Sequence, residues 1–193
     1  MKIFLIVVLT LVSCQAAPEE KPHPLVEAAR KQIGVTTEYD GSYVSLSYPG
    51  GDVPSHTGVC TDVLIRALRS AYGADLQKLV HLDMKANFSR YPTRWGLKRP
   101  DRNIDHRRVP NLRTYLKRHH TTLPLGKNPA KFLPGDIVTC TVSGKLPHIM
   151  IVSSRKAADG TPLVIHNIGS GTREQNDLFT YPLTAHYRWK AKK

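Results

Sequence analysis

Two periods of apolar spacing divide the chain, helical up to about residue 119 and strand-like from residue 131. After Cys60, the apolar residues Val63, Leu64, Ala67, Leu68 and Ala71 fall at i, i+3 and i+4, one face of a helix. Gly73 follows where a left-handed cap would end it. Pro24 opens a shorter helix over 25–32, stopped by Gly34. Residues 75–88 form a third, less regular helix, and 111–119 a fourth, introduced by Pro110. Between them, 36–48 reads as loop with some strand, and Tyr48-Pro49-Gly50-Gly51 as a turn. Residues 89–108 are polar, basic and aperiodic, a length that points to function rather than packing. Strands are predicted over 136–142, 148–152, 163–168 and 183–189, separated by glycine-containing turns. The class is α+β, with N-terminal helices packed on a C-terminal antiparallel sheet, arranged as a meander.

At 193 residues, with no internal repeat, this is one domain large enough to bury a real core. The formal net charge of +13 implies an anionic partner or surface. Residues 3–12 are apolar apart from Thr10, too short a run to span a bilayer and suited to an export signal. The run ends in Leu11-Val12-Ser13-Cys14, which resembles the bacterial lipobox. That resemblance implies a signal over 1–13, lipid on Cys14, a proline-rich tether over 14–23 and a single domain over 24–193. Gln15 looks like outer-membrane sorting, on the periplasmic face, in Gram-negative lipoproteins. Ordinary cleavage near Ala16 or Ala17, releasing a soluble protein, is the rival reading. A basic exported protein meets cell wall and lipid headgroups rather than a genome, so nucleic acid is not the expected partner.

Cys60 lies in the first turn of its helix, where free backbone N–H groups and the helix dipole favour thiolate. The other reading is a small buried core cysteine. His148 alternates with Met150 and Val152, and His166 with Val164 and Ile168, so each shares a strand face with apolar neighbours. If the Cys60 helix packs on that face, the thiol and two imidazoles converge. His148 is then general base and acid, His166 its orienting partner, and the Cys60 N–H an oxyanion donor. Asn167 is an alternative third member, although its side chain belongs to the opposite strand face. With Cys14 lipidated, Cys60 and Cys140 remain in an oxidising compartment, and a disulfide between them is a competing reading. Zinc on Cys60, Cys140, His148 and His166 lacks any C-x-x-C or H-x-x-x-H spacing, and no cofactor is expected.

Tyr48-Pro49-Gly50-Gly51, Cys60 opening a helix, Pro134-Gly135-Asp136-Ile137-Val138, His148-Ile149-Met150-Ile151-Val152 and Val164-Ile165-His166 together resemble the NlpC-type branch of papain-like cysteine peptidases. The order and spacing match over most of 24–190. The resemblance implies a papain-like NlpC-type fold, cleavage of peptidoglycan stem peptides, and Cys60, His148 and His166 as catalytic residues. It also carries Tyr48 over as a residue lining the site. Where that family has Asp-Cys-Ser-Gly, this chain has Val59-Cys60-Thr61-Asp62, so Asp62 either interacts with the helix N-terminus or binds a substrate amine. The run from Asn103 through Asp105, His106, Arg107 and Arg108 to Leu112, with Cys60-Thr61-Asp62 and His166-Asn167-Ile168-Gly169, resembles the domain of unknown function 1287 family. Trp95, Asp105, His106, Arg107, Arg108 and Asn167 are accordingly candidate substrate-binding residues, with arginine suited to stem-peptide carboxylates. The competing reading has Asp105 shaping the loop, with Arg107 and Arg108 solvated or bridged to it. The expected protein is a monomeric, lipid-anchored peptidoglycan hydrolase. The alternatives are a non-catalytic wall-binding lipoprotein and a related thiol hydrolase or acyltransferase acting on other amides or lipids.

Overall fold

A computed structural model describes residues 22–191, so the export-signal and Cys14 readings lie outside the described residues. Four helices come first: α1 (Pro24–Arg30), α2 (Cys60–Tyr72), α3 (Leu76–Asn87) and α4 (Val109–His119). Their boundaries follow local chemistry. Proline occupies the first turn of α1 and α4, where its missing N–H has no intrahelical role. Asp75 caps α3 by accepting from the Lys78 N–H, and Gly73 at φ 64° closes α2 in the left-handed region.

Two residues each form β1 (Glu38–Tyr39) and β2 (Thr57–Gly58), a parallel pair just ahead of α2. The main sheet holds β3 (Thr121–Leu123), β4 (Ile137–Val142), β5 (Leu146–Lys156), β6 (Pro162–Asn167), β7 (Thr172–Gln175) and β8 (Leu183–Arg188). Its order is β3-β8-β4-β5-β6-β7, antiparallel throughout. The class is therefore α+β. The simple meander holds only from β4 to β7, because β8 crosses back to pair with β4 and carries β3 outside it.

The helices cover one face of this sheet. Leu25, Val63, Leu64, Leu68, Leu112 and Leu116 bury Ile137, Ile149, Ile151 and Ile165. On the other face a second cluster joins Val138, Cys140, Met150, Val152 and Val164 under Phe132 and Leu178. The central strands are thus apolar on both sides, and alternation assigns Ile149 and Ile151 to the helices but His148, Met150 and Val152 away from them. A one-residue slip of β5 would exchange these sets and thrust His148 under α2. Both sets are buried, so the register is held by the fit of particular side chains and by the cost of placing a polar imidazole under α2, rather than by hydropathy alone.

Candidate active site

Cys60 is the first residue of α2 and is 5% exposed. Several polar groups are tied up in seating it. The Val59 N–H donates to Asp62 Oδ2 at 2.7 Å, so Asp62 reaches back to cap its own helix. Arg107 Nε and Nη2 donate to the two Asp62 oxygens, each at 2.9 Å, with both side chains nearly inaccessible. The remaining donors of Arg107 reach the Ser42 and Asp40 carbonyls, which fastens the loop after β1. Asn167 donates to the carbonyls of Gly58 (2.9 Å) and Glu38 (3.2 Å), closing β1 and β2 over the end of β6. Asp62, Arg107 and Asn167, expected to bind substrate, have these polar atoms engaged within the protein.

Both described cysteines, Cys60 and Cys140, are free and buried, so the disulfide reading is corrected. The expected lowering of the Cys60 pKa is also reversed. Burial pushes the thiol up to about 12, outweighing the backbone amides of Ile149, Thr61 and Cys60 that favour the thiolate. The helix dipole acts here, but desolvation is the larger effect. The thiol rests against the backbone of Ile149, the residue after His148. It is also near enough to Cys140, opposite His148 in the β4–β5 register, for a charge on Cys60 to disfavour one there.

The two histidines meet. His148 Nε2 lies 2.8 Å from His166 Nδ1, with the rings edge to face at 5.1 Å. Burial and the neighbouring His166 depress His148 to about 3, and burial lowers His166 against the opposing pull of Asp177, so both are neutral at pH 7. The face they occupy differs from the expected one, because α2 packs on Ile149, Ile151 and Ile165 instead. Among the described residues no hydrogen bond joins the thiol to His148; the two are neighbours through one residue of β5. His166 Nε2 lies 3.4 Å from Asp177 Oδ2, beyond β7.

A cavity of about 290 Å³ opens beside Cys60, walled by Tyr39, Arg94, Trp95, Arg107, Arg108 and Pro147 among others. Two guanidiniums approach the Trp95 ring, Arg108 at 4.2 Å and Arg94 at 5.4 Å from its centroid. Arg108 is bridged to Asp105 at 3.1 Å, and Asp105 is buried, accepting from Asn111 and from the Asp101 N–H. His106 is 2% exposed, pushed down to about 4 by burial, and is not among the groups lining this cavity. Tyr48 likewise sits apart, edge-on to His81 with Arg102 over its ring. The cleft tyrosine is Tyr39, whose phenol burial raises to about 12 and whose neighbours include Cys60. Tyr39, Arg94 and Asp177 were not singled out by sequence; only the tyrosine-rich stretch and the basic loop hinted at the first two. Among the described residues no three His, Cys, Asp or Glu side chains are grouped to hold a metal, and no helix is long and apolar enough to cross a membrane.

The cysteine-tipped helix, the buried imidazole pair and the basic-aromatic cleft lie in a segment that matches a known family across most of its length. The chain belongs to the family described as Domain of unknown function (DUF1287), whose family model matches residues 26–189. It is similar to the uncharacterized protein YijF of Escherichia coli (strain K12), 56% identical over 168 residues, which are 87% of this chain and 82% of that one.

Proposed function

We propose that this protein is a thiol hydrolase of the papain-like NlpC type, cleaving amide bonds in peptidoglycan stem peptides at the cell envelope, where lipid on Cys14 would anchor it. The observation that carries the reading is a free thiol at a helix tip, opening on a cationic, aromatic cleft and one residue along β5 from a hydrogen-bonded imidazole pair. Resting thiol and imidazole are both neutral, so activation belongs to the substrate complex, where catalytic contacts tighten. Substrate binding has to bring together Cys60 and His148, which the resting fold holds on opposite faces of β5. His148 then takes the Cys60 proton as Sγ attacks the amide carbon, and the new oxyanion faces the N–H groups of the first turn of α2. The C–N bond then breaks as His148 passes that proton to the leaving amine. Water, deprotonated by the same imidazole, releases the acyl group and restores the thiol. Arg94 and Arg108 beside the Trp95 ring suit the carboxylates of a stem peptide.

Purified peptidoglycan digested by the protein and read by mass spectrometry of the released muropeptides tests this. Cys60→Ala and His148→Ala are each expected to abolish release while circular dichroism stays native. Unchanged release by either variant would refute the assignment. Release by neither variant nor the parent, with sacculi still bound, would favour the non-catalytic wall binder.

A further inference from the structure

His166 Nε2 is a buried ring nitrogen with no hydrogen bond of good geometry, and such a group inside a protein is costly unless something nearby answers it. Asp177 Oδ2 lies 3.4 Å from it, on the segment between β7 and β8 that runs under the far face of the sheet. The His166 side chain is fully inaccessible, while Asp177 keeps about a fifth of its own exposure and faces the ring from the solvent side. Gln175 at the end of β7 also favours a proton on His166 and is the rival partner.

We infer that Asp177 is a positioning residue for the imidazole pair, holding the Nε2 proton of His166 and so fixing the tautomer of His148. The 2.8 Å contact between His148 Nε2 and His166 Nδ1 needs one donor and one acceptor. With Nε2 of neutral His166 protonated toward Asp177, its Nδ1 carries the lone pair. His148 must then donate from Nε2, and Nδ1 of His148 is left as the only proton acceptor of the pair. Without Asp177 the opposite arrangement is open: His166 donates from Nδ1, and His148 presents an N–H where the mechanism needs a base. The chain Asp177–His166–His148 also spreads the positive charge that appears when His148 accepts a proton. This role rests on the thiol-hydrolase reading above, but the tautomer assignment does not require any substrate.

Long-range ¹H–¹⁵N spectra of the histidine-labelled full chain at pH 7 should show both His148 and His166 protonated at Nε2. In Asp177→Ala these signals should move to the Nδ1–H pattern or to a mixture, and Asp177→Glu should restore them. Gln175→Leu should leave them in place. Muropeptide release by Asp177→Ala should fall roughly tenfold to hundredfold in kcat with KM little changed, a share of what general acid–base catalysis supplies. Wild-type tautomers in Asp177→Ala, or tautomers displaced by Gln175→Leu alone, would overturn the inference. If Cys60→Ala retained muropeptide release, the hydrolase reading would fall while the spectra still decided the tautomers.

Discussion

Replacing Asp62 by alanine should do more damage than the loss of any surface carboxylate, and the reason can be worked through in magnitudes. The Arg107 guanidinium faces Asp62 through two bonds of 2.9 Å, and their side chains are 2% and 3% exposed. Removing the carboxylate strands a buried cation, a change that typically destabilises by about 3–5 kcal/mol. The same substitution removes the acceptor for the Val59 N–H, a helix cap worth about 1 kcal/mol. For a domain of this size each kcal/mol lowers Tm by roughly 2–4 °C, so the expected fall is about 10–20 °C. Urea unfolding followed by circular dichroism, with Asp62→Ala, Arg107→Ala and the double variant, measures the coupling. The double variant should lose at least about 2 kcal/mol less than the two singles together. A loss under about 1 kcal/mol for Asp62→Ala, or additive singles, would refute the view that this pair seats the thiol.

Two further outcomes follow from buried neutral groups. A Cys60 thiol near 12 is thiolate to only about one part in 10⁵ at pH 7, so alkylation by iodoacetamide should run roughly a thousandfold slower than for an ordinary cysteine. Peptide mass spectrometry should show the labelling rate at Cys60 climbing steadily through pH 10, and a plateau below pH 9 would contradict the burial argument. His106 titrates near 4 when folded against about 6.5 when unfolded, so the unfolded chain binds more protons between those values. Its contribution is complete above about pH 6.5 and is lost as pH falls through 4, amounting to at most about 3 kcal/mol. His106→Asn should flatten that part of the stability profile in urea titrations, and an unchanged slope between pH 6.5 and 4 would count against it.

Much of this architecture was legible because proline, glycine and period act locally. The start of α4 at the Val109-Pro110 pair, the closing of α2 at Gly73 and the spans of β4 and β6 follow from neighbours within a few residues, whereas β5 runs over Leu146–Lys156, well beyond the expected 148–152. The pairing of β8 with β4 joins residues more than forty positions apart, and nothing in either strand's own sequence specifies it. Strands β1, β2, β3 and β7 are two to four residues long, too short to establish a period. At the site, alternation correctly grouped His148 with Met150 and His166 with Val164. It could not say which face meets α2, because both faces of β5 are buried and equally apolar, so hydropathy does not distinguish them. The low Cys60 pKa expected from the helix position failed for a related reason: sequence shows the dipole but not how completely the thiol is desolvated. Asp177 was invisible, since a lone acid in a connecting segment carries no pattern; only the returning loop brings it to His166.

The two outermost strands of the main sheet are the shortest in it, three residues in β3 and four in β7. A free strand margin offers its amide row to any passing chain, and the hazard grows with the length of that row. Here the margins end almost as soon as they begin, and the eleven-residue β5 lies in the interior of the sheet, flanked on both sides. The apolar stretch Ile149–Val152 is therefore kept from intermolecular pairing for as long as its neighbours stay in place.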